Sequence, residues 1–219
     1  MDRVREKPWL AHYDPGVPPE IQVPDIPLWR FLEDSARRFP QNVALEFLGK
    51  TLSYQELWGL ARRFAQGLKD LGVRPGDRVA IMLPNSPQFV IAFYGTLLAG
   101  GVGVNVNPLY TPRELRHQLK DAGAETLVIL DHLLPRFLEV EKEVPVKRVV
   151  VTGIKDFLPF PKNLLYPLKA KRDGLPLGFP KREGFHAFAE LLKRPPAEPH
   201  ASDPEDLALL QYTGGTTGL

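Results

Sequence analysis

From Val43 to Val151 the chain alternates short apolar runs with longer segments whose apolar residues recur at helical spacing, and few folds accommodate that rhythm. Val43 to Leu48 reads as a strand, Gly49-Lys50 as a turn and Thr51-Leu52 as a short returning strand. Ser53 followed by Glu56 spells a capping box, in which the hydroxyl satisfies one orphan helix amide and the carboxylate another. Behind it Tyr54, Leu57, Trp58, Ala61, Phe64, Ala65 and Leu68 trace one helix face, and Gly72 supplies the stop. Val79 to Leu83 is a continuous apolar run, as in a strand covered on both faces. Ser86-Pro87 opens a helix through Leu98, with proline at the first helical position. Val102 to Val106 is again a strand, and Thr111-Pro112-Arg113-Glu114 is a second capping box whose helix runs to Gly123. Leu127 to Leu130 and Val149 to Val151 complete the series, with a helix between them near Leu133 to Glu143. Strand and helix in turn, joined by short connections, predict an α/β fold: a mainly parallel sheet with helices on both faces, in three layers.

The flanks lack this order. Residues 1–26 read as an extended arm, in which Trp9, Leu10, Tyr13 and Ile21 are suited to docking on a surface. Leu28, Leu32, Ala36 and Phe39 then recur at helical spacing until Pro40 stops the helix. Residues 27–219 are expected to form one unit, in which 152–204 is an irregular, basic and proline-rich insertion and linker. Between Thr152 and Glu183 stand Lys155, Lys162, Lys169, Lys171, Arg172, Lys181 and Arg182 against Asp156, Asp173 and Glu183, interleaved with Phe, Leu and Pro. That mixture fits a surface insertion with snorkelling basic residues, and also a contact with an anionic membrane surface. A short helix from Phe185 to Leu192 and a proline linker lead to a last strand, Leu207 to Leu210.

Composition removes several classes of function. A formal net charge of +2 gives no reason to expect a nucleic-acid partner. With no cysteine there is no disulfide framework, no thiol nucleophile and no thiolate-ligated metal. His12, His117, His132, His186 and His200 form no pair at metal-ligand or nucleophile spacing. The charged start is not a secretory signal and no apolar run reaches bilayer length, so the expected location is cytoplasmic, with a peripheral contact at the inner face of the membrane left open.

The last strand runs directly into Gln211-Tyr212-Thr213-Gly214-Gly215-Thr216-Thr217-Gly218-Leu219. Glycines let backbone N–H groups converge on an anion, and threonine hydroxyls can donate to phosphate oxygens or ligate Mg²⁺. The segment lacks the lysine of a Walker loop and the following helix of a dinucleotide fingerprint.

Three segments in order carry a resemblance. Leu52-Ser53-Tyr54-Gln55-Glu56-Leu57, the run Leu98 to Pro108, and Leu207 to Gly218 resemble the first three motifs of the adenylate-forming (AMP-binding) superfamily. Asn105 to Leu115, His117-Gln118-Leu119, Gln211-Tyr212-Thr213-Gly214-Gly215 and the arm around Trp9-Leu10 are similar to bacterial long-chain fatty-acid–CoA ligases. The resemblance implies ATP-dependent activation of a fatty acid to an acyl-adenylate and then to acyl-CoA, with ATP, Mg²⁺ and coenzyme A taking part. It implies that Thr213, Gly214, Gly215, Thr216, Thr217 and Gly218 surround the β- and γ-phosphates. It also implies that the chain ends within this phosphate loop, before the family's catalytic lysine, so that these 219 residues are inactive alone. A medium-chain or aryl acid as substrate, and a non-catalytic docking or homodimerisation role for the arm, are the competing readings. Asn105 and Asn107 read as satisfying turn amides, Tyr54 and Trp58 as core, Thr111 as a cap, and Asp203, Glu205 and Asp206 as a solvated loop.

Overall fold

The computed structural model describes residues 7–213. Among its described residues the arm has one 3₁₀ turn, Pro8–His12, and otherwise no regular structure before helix α1 (Arg30–Arg38). Strands β1 (Val43–Phe47) and β2 (Lys50–Ser53) form an antiparallel hairpin in which Phe47 faces Lys50. The two linking residues, Leu48 and Gly49, both have positive φ, 51° and 94°. That pair matches the twist of the flanking strands, and it puts the turn one residue earlier than Gly49-Lys50.

Both capping boxes form. Ser53 Oγ accepts from Glu56 N while Glu56 accepts from Ser53 N, starting α2 (Tyr54–Asp70). Ser86 caps α3 (Pro87–Leu98), with Pro87 in its first turn. Thr111 and Glu114 close the second box at the start of α4 (Pro112–Ala122), and Gly123 ends it in the left-handed region at φ 60°. There a residue without Cβ avoids the steric cost of that conformation.

The main sheet is wholly parallel. Its strands are β3 (Arg78–Met82), β4 (Val102–Asn105), β5 (Thr126–Leu130), β6 (Arg148–Thr152), β7 (Phe185–Ala187) and β8 (Leu209–Gln211), in the spatial order β7-β6-β5-β3-β4-β8. Helices α1, α2 and α3 pack together over one face, joined by α7 (Phe188–Leu191), whereas α4 packs with α5 (Leu134–Leu138) over the other. This is the three-layer arrangement, and the central strands β3 and β5 are buried along nearly their whole length. Between α2 and the sheet, Phe64 and Phe188 are fully buried with ring centroids 4.6 Å apart. Leu115, Leu119 and Phe137 fill the opposite layer.

Four expectations need correction. The span read as irregular contains an eleven-residue helix, α6 (Lys162–Arg172), which accommodates Pro167 in its interior. The segment Phe185 to Leu192 is helical only from Phe188, because Phe185–Ala187 pairs with β6 at the sheet edge; available backbone partners outweigh local helical spacing. The segment Leu133 to Glu143 is broken into a 3₁₀ turn, the short α5 and a second 3₁₀ turn, with no side-chain cap at any of the three starts. The last strand lies at Leu209–Gln211, shifted from Leu207 to Leu210.

Candidate active site

Parallel strands end on one edge of a sheet, and in open α/β sheets ligands gather outside those carboxyl ends. Here β8 delivers Gln211, Tyr212 and Thr213 to that edge beside β4, with Asn105 opposite Gln211. Three side chains hold the junction. Asn105 Nδ2 donates to Gln211 Oε1 at 2.8 Å, and Gln118 Nε2 donates to the Asn105 carbonyl at 2.7 Å. The Tyr212 hydroxyl donates to Asp121 Oδ2. Gln118 and Asp121 are three apart on α4 and so face the same side, clamping both strand ends from one helix. Burial, and next the hydrogen bond to the Asp121 carboxylate, push the Tyr212 phenol up to about 12.

Thr213 is exposed at the end of this run. Gly214, Gly215, Thr216, Thr217 and Gly218 lie outside the described residues. Asn105 Oδ1 and Gln118 Oε1 are buried and have no hydrogen-bond partner among the described residues. Both are acceptors, so neither could donate a hydrogen bond to an anion. Asn105 is therefore a cross-strand link and not a turn residue. Asn107 does serve the turn, its Oδ1 accepting from Leu109 N at 2.9 Å.

The loop between β4 and α4 forms the rim. Arg136 Nη1, on α5, donates to the carbonyls of Pro108 (2.6 Å) and Tyr110 (3.2 Å), pinning the loop. Thr111 and Glu114 fix its far end, and the Thr111 hydroxyl and amide hold the Glu114 carboxyl below its ordinary range. Arg136 escaped the sequence reading, since nothing local marks a long-range donor to two carbonyls.

The approach of β8 has its own supports. Arg62 on α2 donates to the Ala197 carbonyl at 2.7 Å and to Glu198 at 2.6 Å, while Ala197 N donates back to the Arg62 carbonyl. His200 N donates to the Leu98 carbonyl, and the His200 ring crosses Gly100 so closely that an added Cβ would stand 2.8 Å from it. Gly101 and Gly103 are likewise crowded, by Thr96 and by the Phe93 ring. The glycines of the segment Leu98 to Pro108 thus serve close packing that routes the linker to β4. Among the described residues no three His, Asp or Glu side chains cluster to hold a metal ion. Tyr54 and Trp58 are half-buried against the core, and Asp203 and Asp206 accept backbone amides of their own loop.

The family model described as AMP-binding enzyme matches residues 32–219. A long-chain-fatty-acid–CoA ligase of Bacillus subtilis (strain 168) is 44% identical over 97% of this chain and 39% of its own length. One from Escherichia coli O157:H7 is 38% identical over 98% of this chain and 39% of its own length. A crystal structure of a long-chain-fatty-acid–CoA ligase from Archaeoglobus fulgidus superposes with a TM-score of 0.72 at 25% identity, covering 94% of this chain and 37% of that one. The chain therefore spans about two fifths of the length of these curated relatives, 39% in each case.

Proposed function

The chain belongs to the AMP-binding enzyme family, and from that membership we propose that the full-length protein activates a long-chain fatty acid with ATP and transfers the acyl group to coenzyme A. The observation that carries this reading is the delivery of Gln211-Tyr212-Thr213 to the carboxyl edge of the sheet, tied to Asn105 and Asp121. It supports a phosphate-binding role for Thr213, Gly214, Gly215, Thr216, Thr217 and Gly218, whose amides and hydroxyls are donors suited to triphosphate oxygens. The acyl class is supported by the names of the relatives at 38–44% identity.

In the reaction proposed, a carboxylate oxygen attacks the α-phosphorus of ATP, the bond to the bridging oxygen breaks, and pyrophosphate leaves. The coenzyme A thiol then attacks the acyl carbon and AMP leaves. A carboxylate is a poor acceptor for nucleophiles, and the mixed anhydride supplies the leaving group. The part this chain would play is to hold the phosphates while charge moves toward pyrophosphate. Mg²⁺ would enter with the nucleotide, with threonine hydroxyls as the oxygen ligands nearest to hand. In the full-length protein, Thr216→Val with Thr217→Val lowers acid-dependent pyrophosphate exchange by roughly 10²-fold. Unchanged exchange would remove the phosphate role from this loop.

A docking role for the arm is the second reading, favoured by the 87% exposure of Ile21 and 84% exposure of Val23. Sedimentation with and without residues 1–25 tests it; a mass unchanged by the deletion rules it out.

A further inference from the structure

The backbone ladder stops at Gln211. β8 is only three residues long, ends the spatial order of the sheet, and sets Gln211 opposite Asn105 as its last pair. Continuing the parallel pattern would bring the Tyr212 amide to the Asn105 carbonyl. That carbonyl accepts from Gln118 Nε2 instead, at 2.7 Å, and Gln118 is 2% exposed. Among the described residues neither the Tyr212 nor the Thr213 amide donates to a backbone carbonyl. Among those residues, side chains alone hold the chain where it leaves the sheet.

Gln211 supplies the hold at this point. Its Oε1 accepts from Asn105 Nδ2 at 2.8 Å, and its Nε2 donates to the carbonyl of the next residue, Tyr212, at 3.1 Å. The peptide from Tyr212 to Thr213 is trans. In a planar trans peptide the C=O and N–H point opposite ways. Fixing the Tyr212 carbonyl therefore fixes the Thr213 N–H, directed away from the Gln211 carboxamide. The Tyr212 hydroxyl on Asp121 restrains the same residue from its other end. Three hydrogen bonds thus run in series, from the buried Gln118 through Asn105 and Gln211 to this single peptide unit.

We propose that Gln211 is a positioning residue: its carboxamide, held by Asn105, aims the Thr213 N–H at the phosphates of the bound nucleotide. The inference rests on the phosphate-binding reading of the segment from Thr213 to Gly218. A donor set in place before reaction stabilises developing charge without reorganising. The role belongs to one half-reaction only. While the carboxylate attacks the α-phosphorus, charge moves onto the pyrophosphate oxygens, and there a fixed amide acts. When the coenzyme A thiol displaces AMP from the acyl-adenylate, no β- or γ-phosphate is present, and the aim of this N–H has no part in the step.

The test compares the two half-reactions in the full-length protein. Gln211→Met keeps the length of the side chain and removes both of its hydrogen bonds. The expected result is acid-dependent pyrophosphate exchange lowered by roughly 10²-fold, as for a reacting group misplaced by about 1 Å. Thioester formation from preformed acyl-adenylate and coenzyme A stays at the rate of the unaltered protein. Asn105→Ala also lowers exchange and adds nothing to Gln211→Met, because both act through one carboxamide. Undiminished exchange by Gln211→Met overturns the proposal and leaves the ligase reading standing. Equal losses in both half-reactions overturn it as well, since they assign Gln211 to the fold at large. So do losses that multiply in the double variant, which break the series from Asn105 to Gln211. An unaltered protein that exchanges with no acid removes the ligase reading, and this inference falls with it.

Discussion

The Tyr212 phenol reaches from the end of β8 to the Asp121 carboxylate on α4. Burial and that acceptor favour the neutral phenol, so its pKa rises from 10.0 to about 12 in the folded protein. A raised value means that the contact contributes fully below the ordinary pKa and is lost as pH climbs through about 12. An ultraviolet phenolate titration should therefore show a late transition that Tyr212→Phe removes; its survival in the variant would contradict the assignment. At the other end of the site rim, Thr111→Ala should cost about 1 kcal/mol in chemical denaturation, as expected for a lost helix cap. Glu114 is shifted the opposite way, downward, by the Thr111 hydroxyl and amide. Its contribution is present above its ordinary value of 4.5 and fades as pH falls through the lower folded value. Glu114→Gln should accordingly flatten the acid limb of the stability profile, and an unaltered limb would show that the box carries no such dependence.

Helices α2 and α3 cross where Gly95 meets Ala61 and Phe64. A Cβ on Gly95 would stand 2.7 Å from Phe64 Cδ1 and 3.0 Å from the Ala61 carbonyl oxygen. Gly95→Ala should thus destabilise by about 1–3 kcal/mol, because backbone at the crossing cannot yield. Gly59, on the same α2, has nothing within 4 Å of an added Cβ, and Gly59→Ala should stabilise by up to about 1 kcal/mol. Urea denaturation of the two variants checks both signs; equal effects would mean that propensity alone governs them. Elements of this kind were legible where the cause is local. Ser53 with Glu56, Ser86 with Pro87, and Thr111 with Glu114 each write a helix start into adjacent residues, and all three starts form. Legibility failed where the cause is remote. Pro167 reads as a breaker yet sits inside α6, and Phe185–Ala187 becomes a strand only because β6 offers it an edge.

For the whole molecule, the parallel sheet with helices on both faces follows from the rhythm of strands and helices, but the order of its strands, with β8 beside β4, does not. That placement depends on Arg62 catching Ala197 and Glu198, on His200 crossing Gly100, and on Asn105 bridging to Gln211, contacts between residues more than ninety positions apart. The glycine- and threonine-rich motif was readable because its residues are contiguous; the scaffold that brings Gln211, Tyr212 and Thr213 to the sheet edge was not, because its members are scattered. The chain spans about two fifths of its curated relatives, 39% of each, and the carboxylate activation proposed above is a property of the full-length protein. Fatty-acid-dependent ATP–pyrophosphate exchange by the full-length protein, across acids of increasing chain length, therefore tests the proposed function most directly. Exchange that rises to a maximum with long-chain acids is the outcome predicted; a folded full-length protein that exchanges with no acid would contradict it.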